Sequence, residues 1–225
     1  MGRATSLLFA REGASVAVAG RRAGLLHELG EQITEETGRV TLALPCDTQD
    51  REQVRALLET TRLQFGRIDV LVYSTGTNIP DRSLDRLTPD TWEMMLGTNL
   101  TGAFHCTQLL VPILREQGGG LILYLSTGAV KRGDLSGVSY QASKCGLDGL
   151  AAGTMAEEKA NGIRTSVIYP GLCDTPLVLK RPAPTPPEVM QHALMPEDLA
   201  EACLFVAGLP PRCHVPELML LPSRL

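Results

Sequence analysis

The sequence predicts a doubly wound α/β fold, in which a parallel sheet is covered by helices on both faces. Three observations support this prediction. Short apolar segments of strand length alternate with longer segments of helical periodicity along the chain. The apolar segments are continuous rather than alternating, as in strands that are buried on both faces. The chain has 225 residues with neither an internal repeat nor a linker, so residues 1–225 are expected to form a single domain.

The first half of the chain contains three helices, each followed by a glycine, the residue that favours helix ends. These helices are predicted over residues 3–12, 23–36 and 50–65. Each is followed by a short apolar segment that indicates a buried strand. The three strands are predicted over residues 14–19, 40–44 and 68–73.

The second half continues the alternation. A long helix is predicted over residues 89–115, because Thr88-Pro89 is a typical helix start. Further helices are predicted over residues 139–160 and 196–208. The remaining strands are predicted over residues 121–125, 163–169 and 218–221. The proline-rich segment 180–187 predicts a loop.

Composition excludes several classes of function. The formal net charge is −4 with acids and bases interspersed, which argues against a nucleic-acid or membrane-surface partner. No apolar stretch approaches the roughly 18 residues of a spanning helix, and the N-terminus does not resemble a signal peptide. The six cysteines form no CxxC pair and the four histidines do not cluster with them, so we expect no metal site. Free cysteines indicate a reducing compartment, the cytoplasm.

The clearest chemical motif is Tyr140-Gln-Ala-Ser-Lys144 on the helix predicted at 139–160. Residues four apart share a helix face, so the ammonium group of Lys144 is expected near the phenol of Tyr140. A nearby cation favours the phenolate and is expected to lower the pKa of Tyr140. Such a phenol can give a proton to a carbonyl oxygen or take one from an alcohol. The alternative is a surface tyrosine and lysine that share a face by chance.

Two hydroxyl side chains, Ser126 and Thr127, lie upstream of this motif, at the end of the strand predicted over 121–125. A hydroxyl at a strand end can hydrogen-bond the substrate oxygen and orient it. The other interpretation of the Ser-Thr pair is a polar turn that closes the strand.

The segments GGGLILYLSTGAV and SYQASKCGL resemble the catalytic block of the short-chain dehydrogenase/reductase family, whose 3-oxoacyl-carrier-protein-reductase-like and alcohol-dehydrogenase-like members are the nearest in character. The resemblance implies a Rossmann-like fold in which Tyr140 is the general acid/base and Lys144 tunes it and contacts the nicotinamide ribose. It also implies that Thr127, or in its place Ser126, orients the substrate oxygen. Asn99, within GTNLTGAFHC, matches the asparagine that holds a proton-relay water in that family.

Further matches to the family concern its nucleotide. Gly76 occupies the last position of a turn that is Asn-Asn-Ala-Gly in the family, with Tyr73 and Ser74 at the asparagine positions. Cys46-Asp47 matches the place where an aspartate meets the adenine. The resemblance therefore implies that Gly76 and Asp47 line the cofactor site.

The segment YPGLCDTP matches a family segment that lies against the nicotinamide, which assigns Pro170, Gly171 and Thr175 to the cofactor site. By the same resemblance, residues 177–195 are expected to form a lid over the substrate.

The choice of cofactor follows from the residues after the strand predicted at 14–19. A carboxylate there would accept hydrogen bonds from the ribose of NAD(H). This chain has Gly20, Arg21 and Arg22 instead. A small residue followed by guanidinium groups makes room for a 2′-phosphate and pairs with it, which favours NADP(H) over NAD(H). The alternative is that the two arginines only begin a solvated helix.

The N-terminus departs from the family pattern, which opens with a strand and a TGxxxGxG turn. Gly2 resembles the last glycine of that turn, and the first strand and the other glycines are lacking in the sequence. We expect the natural product to be longer, a misplaced start being favoured over a truncated form. A chain of this extent alone is expected to bind the cofactor weakly and to be poorly stable, since neighbouring strands would have unpaired edges.

The predicted reaction is hydride transfer between NADP(H) and a small carbonyl compound or secondary alcohol. One rival is a catalytically impaired NADP-binding regulatory or scaffold protein on the same fold. Another is a sugar dehydratase or epimerase. The resemblance also implies a homodimer or homotetramer that pairs the long helices, where Ala142, Gly146 and Gly149 would permit close packing.

Overall fold

The computed structural model describes residues 1–225 as strands and helices that alternate along the chain. The strands are Val16–Gly20 (β1), Thr41–Pro45 (β2), Val70–Tyr73 (β3), Gly120–Leu125 (β4), Ile163–Pro170 (β5) and Glu217–Leu220 (β6). The helices are Gly2–Arg11 (α1), Ala23–Thr37 (α2), Arg51–Phe65 (α3), Pro89–Leu96 (α4), Gly102–Glu116 (α5), Ala129–Arg132 (α6), Val138–Glu158 (α7), Pro187–Met190 (α8) and Pro196–Gly208 (α9). The predicted alternation is confirmed, with element ends shifted by one or two residues.

All strand pairs are parallel, as the sequence predicts. The strands form two sheets rather than one continuous sheet: β1 pairs with β2, and the other four strands pair in the order β3-β4-β5-β6. No ladder of hydrogen bonds joins β1 to β3. The apolar residues of β1 instead pack against α1 and α2, in a cluster that includes Leu7, Val18 and Ile33.

Apolar side chains cover both faces of the four-stranded sheet, which makes the fold doubly wound. On one face, Ile122 and Tyr124 of β4 join a cluster of 16 buried residues that reaches α3, α5 and α7. On the other face, Leu121, Leu123 and Leu125 of the same strand join a cluster of nine that reaches α9. Because successive side chains of β4 point to opposite faces of the sheet, this strand contributes to two separate cores.

The long helix predicted over 89–115 is interrupted in the structure. A π-helical turn, Gly97–Thr101, separates α4 from α5. The buried phenol of Tyr73 donates a hydrogen bond to the backbone carbonyl of Thr98 at 2.9 Å, which gives a partner to a carbonyl in the widened turn. Such turns are often found at functional sites.

Residues 177–195 are an ordered excursion rather than a plain loop. A 3₁₀ helix, Pro176–Lys180, and the single turn of α8 shape the segment, and both are too short to show helical periodicity. Its end is tied down by two backbone hydrogen bonds: Leu194 N–H donates to the carbonyl of Leu172 at 2.9 Å, and Asp174 N–H donates to the carbonyl of Leu194 at 2.8 Å.

Three further features concern the helices, the thiols and the potential metal ligands. None of the helices combines the length and apolar character that crossing a bilayer requires. All six cysteines are free thiols. Histidine, cysteine and acidic side chains form no group of three that could hold a metal ion.

Candidate active site

The candidate site lies where the carboxyl ends of β3, β4 and β5 meet the first turns of α7. Thr75 and Gly76 follow β3, Ser126 and Thr127 follow β4, and Gly171 follows β5. Because the strands are parallel, these segments share one edge of the sheet. Open α/β sheets bind their ligands at this edge.

Tyr140 and Lys144 lie on the same buried face of α7, one turn apart, with 8% and 4% of their surfaces exposed. The ammonium group of Lys144 donates hydrogen bonds to the backbone carbonyls of Leu125 at 2.9 Å and Thr75 at 3.4 Å. These carbonyls end β4 and follow β3, so one lysine joins α7 to two strands. Burial lowers the pKa of Lys144 to about 8, because water no longer solvates its charge.

Gly76 lies against this lysine. A Cβ atom built on Gly76 would stand 3.0 Å from Lys144 Nζ and 3.6 Å from Asn99 Oδ1. A side chain at this position would therefore displace the lysine. Glycine keeps the backbone of the turn after β3 in close contact with both polar groups.

Asn99 is completely buried in the π-helical turn, and all its polar atoms have partners. Its carbonyl oxygen accepts a hydrogen bond from the backbone N–H of Thr77 at 2.7 Å. Its amide group donates to the carbonyl of Thr77 at 3.1 Å and to the hydroxyl of Ser143 at 3.0 Å. Asn99 therefore fastens the turn after β3 to α7, between Tyr140 and Lys144.

The structure separates the two hydroxyl candidates after β4. Ser126 is buried, and its hydroxyl donates a hydrogen bond to the backbone carbonyl of Lys144 at 3.2 Å. Thr127 is only partly buried, and its hydroxyl lies near enough to the phenol of Tyr140 to lower the pKa of the tyrosine. Thr127 and not Ser126 is therefore the hydroxyl beside Tyr140.

The net pKa shift of Tyr140 differs from the expected direction. We predicted a lower pKa because of the neighbouring lysine. In the structure the pKa of Tyr140 is raised, because burial, the largest effect, penalises the phenolate more than the nearby hydroxyl of Thr127 favours it. Lys144 was expected to lower the pKa of Tyr140, but burial lowers the pKa of this lysine itself. Sequence spacing does not reveal this desolvation.

The nucleotide end of the site begins at α1. A Cβ on Gly2 would stand 2.5 Å from the hydroxyl oxygen of Ser74, so the start of α1 touches the end of β3. The first turn of α1 has no acidic residue and no side-chain cap. Its backbone N–H groups are the kind of donors that bind phosphate at a helix N-terminus.

Arg21 and Arg22 follow β1 and are both exposed. One guanidinium nitrogen of Arg21 lies 3.8 Å from Asp47 Oδ2, whereas Arg22 has no carboxylate within 4.0 Å. The predicted pair is thus brought to one place with Asp47, which follows β2, and forms a basic rim with a single acidic group.

Pro170, Gly171 and Thr175 lie along the exit of β5. The carbonyl of Pro170 accepts a hydrogen bond from Gly128 N–H at 2.9 Å, and Gly171 N–H donates to the carbonyl of Leu220 at 2.8 Å. A Cβ on Gly171 would stand 2.7 Å from Pro222 Cδ, so a larger residue does not fit. Thr175 is the N-cap residue of the 3₁₀ helix, where the chain leaves the sheet.

Four residues that the sequence did not single out line the same region. Asn78 is buried, and its amide donates to the carbonyl of Ser136 at 2.9 Å. Lys180, in the segment 177–195, donates to the hydroxyl of Thr77 at 2.8 Å. The charge of Arg82 lowers the pKa of Tyr140. Asn78, Thr77 and Arg82 stand in a loop and Lys180 ends a short 3₁₀ helix, so no periodicity marks them, and their polarity in the sequence is indistinguishable from that of a solvated loop.

Comparisons with known proteins concern the family and the fold of this chain. The family model described as short chain dehydrogenase matches residues 1–185. The chain is 31% identical over 213 residues to the 3-oxoacyl-acyl-carrier-protein reductase FabG of Thermotoga maritima, covering 92% of this chain and 86% of the relative. It is also 31% identical over 207 residues to a 3alpha-hydroxysteroid dehydrogenase of Mediterraneibacter gnavus, covering 89% of this chain and 82% of the relative.

Among solved structures, an alcohol dehydrogenase of the archaeon Thermococcus sibiricus, complexed with 5-hydroxy-NADP, superimposes with a TM-score of 0.88 at 25% identity. The match covers 99% of this chain and 92% of that one. A 3-ketoacyl-ACP reductase of Sinorhizobium meliloti matches equally well, with a TM-score of 0.88 at 25% identity over 99% of this chain and 93% of that one.

Proposed function

The chain belongs to the short chain dehydrogenase family of oxidoreductases, and from that premise we propose that it interconverts a carbonyl compound and a secondary alcohol with NADP(H). The observation that carries the proposal is the meeting of Tyr140, Thr127 and Lys144 at the carboxyl ends of β3 and β4. The rival interpretation, a scaffold protein, does not need a buried phenol beside a hydroxyl.

The residues at this edge fit a nicotinamide nucleotide. The uncapped first turn of α1 suits a diphosphate. Lys144 has used two of its three protons on carbonyls, and the third suits a ribose hydroxyl. Arg21 and Arg22 suit a 2′-phosphate, and a solved relative in complex with an NADP derivative supports that choice. Gly76, Asp47, Pro170, Gly171 and Thr175 would line the remainder of the cofactor site.

The cofactor supplies or accepts the hydride. The protein controls the proton. In the reducing direction the phenol of Tyr140 gives its proton to the carbonyl oxygen of the substrate, and the hydroxyl of Thr127 hydrogen-bonds the same oxygen. The charge on Lys144 stabilises the phenolate left behind, and Asn99 holds the turn after β3 and α7 in their mutual position. In the oxidising direction the same groups act in reverse.

The raised pKa of Tyr140 suits the reducing direction, because the phenol remains protonated at neutral pH. A water that Asn99 would hold has no free amide hydrogen to bind, since both amide hydrogens have protein partners. We therefore propose that Asn99 positions the turn after β3 relative to α7.

We propose that two copies pair through α5 and α7, but Gly146 is not among the residues that permit the contact. A Cβ on Gly146 would stand 2.5 Å from Leu100 Cδ2, so this glycine serves packing within the chain. Gly149 is exposed, and a Cβ there would have no neighbour within 4 Å. Of these two glycines, only Gly149 is free for contact with a second copy.

The Tyr140→Phe variant tests the proposal. With NADPH and a panel of neutral and charged ketones, its rate is expected to fall by about 10²- to 10⁴-fold, the usual contribution of a general acid. NADPH binding, measured by fluorescence titration, should change little, because the phenol hydroxyl does not hold the nucleotide. Thr127→Ala should lose more activity than Ser126→Ala. Full activity in Tyr140→Phe would overturn the mechanism, and tight NADPH binding without any turnover would identify a scaffold protein.

A further inference from the structure

Three basic side chains gather at the mouth of the candidate site, although the chain as a whole carries a net charge of −4. Arg82 lies on the loop after β3, and Lys180 and Arg181 lie on the lid. None of the three has a carboxylate within 4.0 Å, whereas the nearby Arg86 is paired with Asp81 at 3.0 Å. The basic character of this mouth is therefore not neutralised by ion pairs.

Arg82 is held against the start of the catalytic helix. Gly137, the N-cap residue of α7, has a φ of +95°, and a Cβ on it would stand 2.9 Å from Arg82 Cβ and 3.0 Å from the Arg82 carbonyl oxygen. Only glycine tolerates both this conformation and this proximity. Tyr140 follows three residues later, so the contact fixes Arg82 relative to the phenol.

The guanidinium group of Arg82 is half-buried, and its Nε–H has no hydrogen-bond partner although that atom is shielded from solvent. Buried donors without a partner are rare and costly. The pKa of Arg82 is lowered by burial first and then by the neighbouring cation Arg181. The nearby carboxylate of Asp134 opposes this shift of Arg82. The charge of Arg82 in turn lowers the pKa of Tyr140, after the larger effects of burial, Thr127 and Asp134. Arg82 is thus electrostatically coupled both to the lid and to the proton donor.

We propose that the substrate carries a carboxylate, and that Arg82 binds it with Arg181 and Lys180 of the lid. This inference rests on the proposed function and names its substrate class, an oxo acid or the corresponding hydroxy acid. A carboxylate can accept two hydrogen bonds from the terminal nitrogens of the half-buried guanidinium group, the paired arrangement that guanidinium favours. It would also relieve the repulsion between the two arginines.

A small acid fits these observations better than an acidic carrier protein does. Arg82 is half-buried, so a folded protein surface has less access to its guanidinium group than a small acid has. Lys180 already spans from the lid to Thr77, which places it beside the site rather than on an outer face. An acidic macromolecule would require a broad basic surface instead of one recessed guanidinium group.

The test uses a series of 3-, 4- and 5-oxo carboxylates and their neutral amides with NADPH. For the unsubstituted chain, kcat/KM should be higher for at least one acid than for its amide. In Arg82→Met this acid-to-amide ratio should fall by about 10- to 100-fold, the usual effect of losing a charged hydrogen bond. Arg82→Lys should keep part of the ratio. The matched control is Arg86→Met on the same loop, which should keep all of it.

Binding provides a readout that does not require turnover. By calorimetry, 4-oxopentanoate should bind the unsubstituted chain and Arg86→Met, and bind Arg82→Met at least about ten times more weakly. A thermal unfolding curve shows whether each variant is folded, and Arg82→Lys provides the folded comparison if Arg82→Met is not.

The outcomes separate the two proposals. If amides are reduced and acids are not preferred, or if the ratio is equal in all variants, the carboxylate assignment is wrong and the oxidoreductase assignment stands. If nothing is reduced but 4-oxopentanoate binds through Arg82, the oxidoreductase assignment is wrong and the carboxylate assignment stands. Activity only on carrier-bound thioesters, lost equally in Arg82→Met and Arg86→Met, would indicate surface charge and overturn the proposal.

Discussion

The two sheets of this protein differ in how far the charged side chains beside them are exposed to solvent. In the four-stranded half, β4 and β5 are almost completely buried, and Lys144 is shielded from water in contact with two carbonyls. In the two-stranded half, β2 has no fully buried residue, and Arg21 and Arg22 extend into solvent. The comparison indicates that proton transfer and phosphate recognition, the two tasks proposed for the site, need opposite environments.

Proton transfer needs groups whose positions and pKa values are fixed before the substrate arrives, and burial fixes both. Recognition of a phosphate needs charge that remains available until the ligand itself covers it. Under the proposed function, the buried half would carry the chemistry and the exposed half the choice of nucleotide. Three measurements sharpen or break this comparison.

The largest expected effect concerns packing. Ile122 on β4 and Ile33 on α2 are both completely buried, but Ile122 belongs to the cluster of 16 residues and Ile33 to a cluster of five. Truncation to alanine should cost about 4 kcal/mol of unfolding free energy at Ile122 and about 2 kcal/mol at Ile33. The smaller loss is expected because α2 can settle against a narrow sheet, whereas β4 is held by strands on both sides. Urea unfolding measures both, and equal losses would show that the halves are equally rigid.

The second effect is a pH dependence in the buried half. Burial lowers the pKa of Lys144 to about 8, so the native chain releases this proton at lower pH than the unfolded chain does. Between pH 8 and about 10 the unfolded state binds more protons, and stability contributed by this group rises with pH by up to about 1.4 kcal/mol per unit. Below pH 8 the contribution is flat.

This prediction is measured as a difference between variants, because other buried groups also titrate in alkali. The unfolding free energy of the unsubstituted chain minus that of Lys144→Met should increase from pH 8 to 10. Lys159→Met, at the exposed end of the same helix, is the matched control and should show no such trend. A difference that stays constant over this range would mean that Lys144 is solvated.

The smallest effect concerns the exposed half. Arg22→Ala should weaken NADPH binding by about tenfold and leave NADH binding unchanged, because only NADPH carries the 2′-phosphate. Arg21→Ala should have a smaller effect, since Asp47 already offsets part of its charge. Fluorescence titrations with both nucleotides measure the preference. If both nucleotides lose affinity equally, the arginines serve the helix rather than the phosphate.

Much of the fold could be predicted because it depends on local pattern. Continuous apolar segments located the strands within two residues, and the glycines after α2 and α3 marked their ends. The motif from Tyr140 to Lys144 lies on one buried face of α7, as its four-residue spacing requires. The π-helical turn around Asn99 was not predicted, since it depends on Tyr73 from a distant strand.

The site was predicted less completely than the fold. Two adjacent hydroxyls after β4 were equivalent in the sequence, and only the packing of α7 assigned Ser126 to a backbone carbonyl and Thr127 to the phenol. Arg82 was invisible among polar loop residues. It becomes significant only because Gly137 brings the start of α7 against it.

The sequence by itself determined which segments are strands and helices and which residue types stand at the strand ends, because backbone periodicity and side-chain chemistry are local properties. The tertiary structure alone decided how the sheet divides, which hydroxyl faces Tyr140, and that the pKa of this phenol rises rather than falls. These outcomes depend on burial and on contacts between distant segments, and desolvation is a property of the surroundings that no spacing along the chain encodes.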